Sequence, residues 1–425
     1  MAVFVGSLGG FVFGYDLGAL STVTQNLRGQ FHLSPWIFGL TISSSVWGTV
    51  FGSVLAGRLA DKVDRQRLIA LCSILYMVAS IGITLPVPSE WWFLLAMRVL
   101  CGVAVGGFTV SCPLYLSEIA PTKMRGRVVG LFQIQVGAGV IVAFSVGAIS
   151  AHLAVSSAAW KWVFGLGALP AMALFLLVEI MPHIETQFSG GDRGANPLSP
   201  QPSSLYRERS ADDGLFRRRN TRLILVATSI AVFNQLSGVN ILLLYMLEIL
   251  ASAGMPFSLG HKYTVLISCL SLTTTLAGMA FVDRVGRKPL LYIGSAGMAV
   301  CLLMLGMAIP HHAAPMLYLS ILVAYNAFFA FSQGTVVWVY LSELFPSGLR
   351  GSGQGYGATV HWIANAMLIT IFPSLQHASN VRIFYIFALT MVCQILVIWL
   401  WYPETKGTEL GSFAVAGDVG MDRLR

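Results

Sequence analysis

Apolar runs of about twenty residues follow one another along this chain with short polar breaks between them. Twenty residues is the length at which an α-helix crosses ~30 Å of hydrocarbon. Twelve runs are read, near residues 2–23, 36–57, 68–86, 90–117, 127–151, 160–181, 221–250, 262–283, 288–309, 315–344, 354–375 and 381–402. Composition agrees: of 425 residues 56% are hydrophobic and 10% charged, with a mean hydropathy of +0.74, whereas soluble domains carry about 25% charged residues. Membrane β-strands would alternate over about ten residues each, and these runs are too long and too evenly apolar for that. The expectation is an all-α integral membrane protein with twelve transmembrane helices.

Two repeated motifs divide the twelve runs into two sets of six. Tyr115-Leu-Ser-Glu-Ile-Ala-Pro-Thr-Lys-Met-Arg125-Gly returns as Tyr340-Leu-Ser-Glu-Leu-Phe-Pro-Ser-Gly-Leu-Arg350-Gly, with Tyr, Glu and Arg at one common offset. Gly57-Arg-Leu-Ala-Asp61-Lys-Val-Asp-Arg65-Gln-Arg67 is echoed by Asp283-Arg284-Val-Gly-Arg287-Lys288. Such duplication predicts two pseudo-symmetric bundles: residues 1–181 and 221–402. Between them, residues 182–220 have the Gly, Ser and Pro content of a linker and end in Arg217-Arg218-Arg219, and residues 403–425 form a tail.

The net charge of +8 reports topology. Nearly all Lys and Arg, including Arg58, Lys62, Arg65, Arg125, Arg217, Arg287 and Arg350, fall on one side of the twelve-helix scheme, and only Arg28, Lys161, Lys262 and Arg382 on the other. By the positive-inside rule the crowded side, with both termini, is cytoplasmic, in a plasma or bacterial inner membrane. Nucleic-acid binding is not expected. The six cysteines lie inside runs without metal-ligand spacing, so neither metal nor cofactor is expected. Gly14-Tyr15-Asp16 interrupts the first run and no small-residue cleavage site follows a basic segment, which argues against a cleaved signal peptide.

A carboxylate inside a membrane helix costs about 2.5–3.5 kcal/mol on insertion scales and is a functional candidate. Asp16 in the first run and Arg98 in the fourth lie at nearly the same depth. Two accounts are open: a structural ion pair, or a carboxylate that takes up and releases a proton beside a cation that tunes it. A second set is polar: Gln133, then Asn234, Gln235 and Asn240 in the seventh run, Trp338, Trp362 and Asn365. Facing one cavity, these amides and indoles suit a neutral polyol. Gln235 and Asn240 share a face only if Gly238 unwinds the helix between them. Asp61 with Arg65, Glu118 with Arg125, Asp283 with Arg287, and Glu343 with Arg350 sit at helix ends. Solvated pairs there would contribute little, and pairs that bridge helices in one conformation would form a latch.

At these residues the chain resembles the sugar porters of the major facilitator superfamily over nearly its whole length. The marks are Gly14-Tyr15-Asp16, Gly57 to Arg67, Arg98, Glu118 to Arg125, Gln235-Leu-Ser-Gly-Val-Asn240, Asp283 to Lys288, Glu343 to Arg350 and Pro403-Glu-Thr-Lys-Gly407. The resemblance implies two bundles rocking about a central sugar site. It implies that the residues at Gln133, Gln235, Asn240 and Asn365 bond sugar hydroxyls, and that Trp338 lines the cavity. Proton-coupled members are similar in pairing Asp at position 16 with Arg at position 98. Departures are Pro182-His183-Ile184-Glu185-Thr186 after the sixth run, Asp64 in the first basic motif, Asn234 for Gln, Ser271, and His361 before Trp362.

The resulting expectation is transport of a monosaccharide or small polyol by alternating access, with a proton as co-substrate and the lipid bilayer as the medium. A facilitative uniporter with a structural Asp16–Arg98 pair is the alternative, and a non-transporting sugar sensor the alternative of another class. No nucleophile, nucleotide loop or metal cluster suggests an enzyme, and no oligomer is required.

Overall fold

The computed structural model describes residues 2–60, 63–85, 91–120, 125–153, 159–181, 215–311, 313–345, 349–378 and 381–406. Twelve membrane-length segments are present among them. They are built from α1 (Ala2–Phe31), α2 (Pro35–Ala60), α3 (Arg65–Thr84), α4 (Trp91–Ile119), α5 (Arg125–Leu153), α6 (Ala159–Gly165) and α7 (Ala168–Ile180). The second set comprises α8 (Thr221–Leu236), α9 (Val239–Leu244), α10 (Met246–Ser252), α11 (Phe257–Val285), α12 (Arg287–Ala308), α13 (Pro315–Phe331), α14 (Gln333–Leu344), α15 (Arg350–Ala378) and α16 (Arg382–Trp401).

Three of the twelve spans are broken. The sixth divides into α6 and α7, the seventh into α8, α9 and α10, and the tenth into α13 and α14. The first helix also outlasts its apolar run. Residues 24–31 read as connection in the sequence, yet α1 continues to Phe31, because Leu27 still finds a buried place at 1% exposure. Only residues 32–34 then separate α1 from α2.

With no hydrophobic driving force between helices in lipid, close approach of backbones holds a bundle together. Gly48 and Gly52 of α2 face Gly102 and Gly106 of α4, each pair spaced for one helix face. A Cβ on Gly106 would run into the Thr49 carbonyl, and one on Gly102 into the Ser45 carbonyl. In the first half α1 packs on α5 and α2 on α4; in the second, α12 packs on α16 and α11 on α13. The halves meet along two seams, α2 against α15 and α5 against α11.

The basic motifs gather at one end of the bundle, here the basic end; the opposite end is the far end. At the far end the halves close on each other. Ser21 donates to the Leu243 carbonyl at 2.8 Å, Thr370 donates to Ser43 at 2.7 Å, and Trp47 Nε1 donates to Thr370 at 3.2 Å. Tyr245, at the break between α9 and α10, lies between Phe38 of the first half and Phe372 of the second, with ring centroids 6.4 and 4.9 Å away.

Candidate functional site

Asp16 and Arg98 meet. Arg98 Nη1 donates to Oδ1 of Asp16 at 2.6 Å and Nη2 to Oδ2 at 3.2 Å, a bidentate charge-assisted pair. Ser45 of α2 donates to Oδ2 at 3.0 Å and Tyr76 of α3 to Oδ1 at 3.3 Å. Arg98 is 1% and Asp16 5% exposed, and the Phe164 ring of α6 lies 4.7 Å from the guanidinium carbon. Side chains from α1, α2, α3, α4 and α6 thus converge on one buried pair. Ser45, Tyr76 and Phe164 are residues sequence reasoning missed, since a Ser, a Tyr or a Phe in an apolar run carries no signal of its partner.

In the second half the seventh span supplies Asn234, Gln235 and Asn240 of the polar set. Gly238 adopts φ +83°, ψ 8°, in the left-handed region, and ends α8. The break turns Asn240 back toward Gln235, so Asn240 Nδ2 donates to Gln235 Oε1 at 2.8 Å and to Asn365 Oδ1 at 3.0 Å. Gln235 Nε2 approaches both ring nitrogens of His361, at 3.1 and 2.9 Å. The His361 ring lies 4.9 Å from Trp338 and 5.2 Å from Trp362, and Trp362 packs edge-on against Phe13 of the first half at 5.6 Å. Gln133, half-buried on α5, makes no hydrogen bond to this set among the described residues. His361, noted in the sequence only as a departure from the family pattern, stands at the centre of the cluster.

Asn234 points the other way. It accepts from Gln235 at 3.1 Å and donates to Gln333 at 3.4 Å, with 3% of its surface exposed.

At the basic end the described ion pairs run between motifs. Arg65 at the start of α3 donates to Glu118 at the end of α4, at 3.1 Å. Arg287 at the start of α12 donates through Nη2 and Nε to Glu343 at the end of α14, at 2.7 and 3.0 Å. Both pairs tie helices of one half, and the duplication is visible in their matching placement. The segment after α16 joins the second: Thr405 donates to Glu343 at 2.6 Å, and Glu404 accepts the backbone N–H groups of Arg287, Lys288 and Lys406 at 3.0, 2.9 and 3.0 Å. Partial burial pushes the Glu404 carboxyl up, but these N–H donors and the Arg287 charge outweigh it and hold the group below the usual carboxylate range. Asp61 lies outside the described residues, as do the side chains of Arg125, Asp283 and Arg350 and the Pro182–Thr186 stretch.

The family model described as Sugar (and other) transporter matches residues 2–185 and 201–416. The chain belongs to this family. A glucose transport protein of Synechocystis sp. is 30% identical to this porter over 445 residues, 96% of this chain and 95% of that protein. The D-xylose-proton symporter of Escherichia coli (strain K12) is 27% identical over 459 residues, 96% and 93% of the two chains. The major myo-inositol transporter of Bacillus subtilis (strain 168) is 29% identical over 436 residues, covering 96% and 92%. Among solved structures, the partially occluded inward open conformation of the E. coli xylose transporter superposes with a TM-score of 0.83 at 25% identity, covering 96% of this chain and 99% of that one. Its inward open conformation gives 0.80, covering 96% and 97%. The porter is therefore an integral membrane transporter of the major facilitator type, with twelve transmembrane helices.

Proposed function

We propose that this porter carries a monosaccharide or small polyol across the membrane by alternating access, and that Asp16 couples the movement to a proton. The observation that carries the coupling is the convergence of Arg98, Ser45 and Tyr76 on both oxygens of a buried carboxylate. Adding a proton to Asp16 removes the charge that Arg98 pairs and turns one acceptor oxygen into a donor. Contacts from three other helices then change at once, so proton occupancy and helix packing are linked.

Gln133, Gln235, Asn240, Asn365, Trp338 and Trp362 are the proposed sugar contacts: amides for hydroxyls and indole faces for the ring's apolar side. The named substrates of the relatives, glucose, xylose and myo-inositol, support the class. With the basic end cytoplasmic and the far end closed by Tyr245, Ser43 and Thr370, this conformation has its halves in contact on the outer side. Arg65–Glu118 and Arg287–Glu343 then brace each half at the cytoplasmic end, where it must move as one body.

Proteoliposomes holding the purified protein test the coupling. The wild type accumulates substrate under an inward proton gradient; Asp16→Asn retains substrate exchange and loses accumulation. A mutant that accumulates as the wild type does removes Asp16 from the coupling step. One observation favours a facilitator instead: both oxygens of Asp16 are already fully bonded, as in a purely structural pair. A wild type that equilibrates substrate without responding to the gradient decides for that reading.

A further inference from the structure

Behind the proposed sugar contacts runs a continuous line of side-chain amides. Asn240 donates to Gln235 at 2.8 Å, Gln235 to Asn234 at 3.1 Å, Asn234 to Gln333 at 3.4 Å, and Gln333 to Gln394 at 2.6 Å. Every amide donates in the same direction, and Ser295 closes the line by donating to the last carbonyl, Gln394 Oε1, at 3.1 Å. The line crosses from α9 and α8 through α14 to α16 and α12. Gln333 and Gln394 are 0% exposed, so neither reaches a substrate.

Buried amides in an apolar helix bundle are costly unless bonded, and a chain of them polarises cooperatively. Two features tie this one to the site. Gln333 is the first residue after the break at Ser332 that divides the tenth span, and the same short helix carries Trp338. At the other end, both N–H groups of Asn240 are committed, to Gln235 and Asn365, which leaves its carbonyl oxygen as the group it can offer a ligand. Gln394 takes part as an acceptor alone: its oxygen receives Gln333 and Ser295, while its Nε2 has no hydrogen-bond partner among the described residues.

We propose that Gln333 and Gln394 are positioning residues for sugar recognition, holding Asn234 and through it Gln235 and Asn240 in one orientation, so that Asn240 presents an acceptor to the substrate. The inference rests on the sugar site proposed above. Because Gln394 serves as an acceptor, a side chain that keeps an oxygen there preserves the line and one without an oxygen breaks it.

The experiment measures initial uptake of D-glucose, D-xylose and myo-inositol by proteoliposomes of the full chain, with Gln394→Met, Gln394→Glu, Gln333→Met and the double Met variant. For the sugar the wild type transports, Gln394→Met and Gln333→Met are expected to raise KM roughly three- to ten-fold, the effect of about one lost hydrogen bond, with kcat little changed. Gln394→Glu, carried as the neutral acid because no cation pairs it there, keeps an accepting carbonyl oxygen and restores the wild-type KM, and the double variant is no worse than Gln333→Met alone, because both act on one line. Wild-type KM in both Met variants, or additive effects in the double, overturns the inference and leaves the sugar site standing. Should a Met variant not be recovered folded, Gln394→Glu with a KM raised as far as the surviving Met variant's also overturns it. A wild type that takes up none of the three sugars removes the functional reading, and the positioning role with it.

Discussion

Asn240 donates a 2.8 Å hydrogen bond to Gln235 across the break at Gly238. On an unbroken helix, residues five apart point about 140° away from each other. The left-handed turn at Gly238, φ +83°, closes that angle and brings the amides of two helices onto one face.

Gly238→Ala should therefore lower stability and affinity together. A side chain in the left-handed region costs about 1–2 kcal/mol, and a Cβ here would lie 2.6 Å from the Phe387 ring. The expected outcome is a lower Tm in detergent and weaker protection of the protein by added sugar, read from thermal unfolding with and without ligand.

Arg98 and Asp16 differ in what their removal leaves behind. Arg98→Leu strands a carboxylate inside the bundle and should destabilise by about 3–5 kcal/mol. Asp16→Asn leaves Arg98 a neutral acceptor and should be milder. Combining the two changes should recover stability relative to Arg98→Leu alone; a double variant as unstable as that single one would contradict the pairing.

Glu404 gives a pH dependence at the basic end. Its carboxyl sits below the usual range in the folded protein, so it binds protons less readily there than when unfolded. Its stabilising contribution is complete above the ordinary carboxylate range and disappears as pH falls through the lowered folded value. Glu404→Gln should lower Tm at neutral pH, by an amount equivalent to roughly 1 kcal/mol at a helix N-terminus, and flatten the acid side of the Tm–pH curve.

Closure of the far end can be trapped. The hydroxyl oxygens of Ser43 and Thr370 are 2.7 Å apart across the seam between the halves. Ser43→Cys with Thr370→Cys should oxidise to a disulfide that stops uptake, and a reductant should restore it. Uptake by the fully cross-linked protein would show that the seam does not open during transport.

Much of this protein was legible in its residues. Run length and composition fixed the twelve spans because lipid forces every backbone group into a helix. The matched cassettes around Glu118 and Glu343 announced two halves. Asp16 and Arg98 stood out because charge in hydrocarbon is rare. The extent of α1 was less legible, since a helix supported by neighbours continues through residues that look like a loop. Gln333, Gln394 and His361 were also visible as polar residues in apolar runs, but nothing in their spacing said that they belonged to one network.

The sequence by itself determined which segments cross the membrane, how they are duplicated and which charges need an explanation, because those depend on local hydrophobicity and on residue identity. Tertiary structure alone decided the partners. Ser45 and Tyr76 reach Asp16 from two other helices, Arg65 finds Glu118 and Arg287 finds Glu343 in the adjoining motif, and Gln333 backs Asn234 from a separate span. Each of these contacts joins residues far apart in the chain, and their meeting is set by how close the helices pack and where Gly238 and Ser332 break them, which no local periodicity encodes.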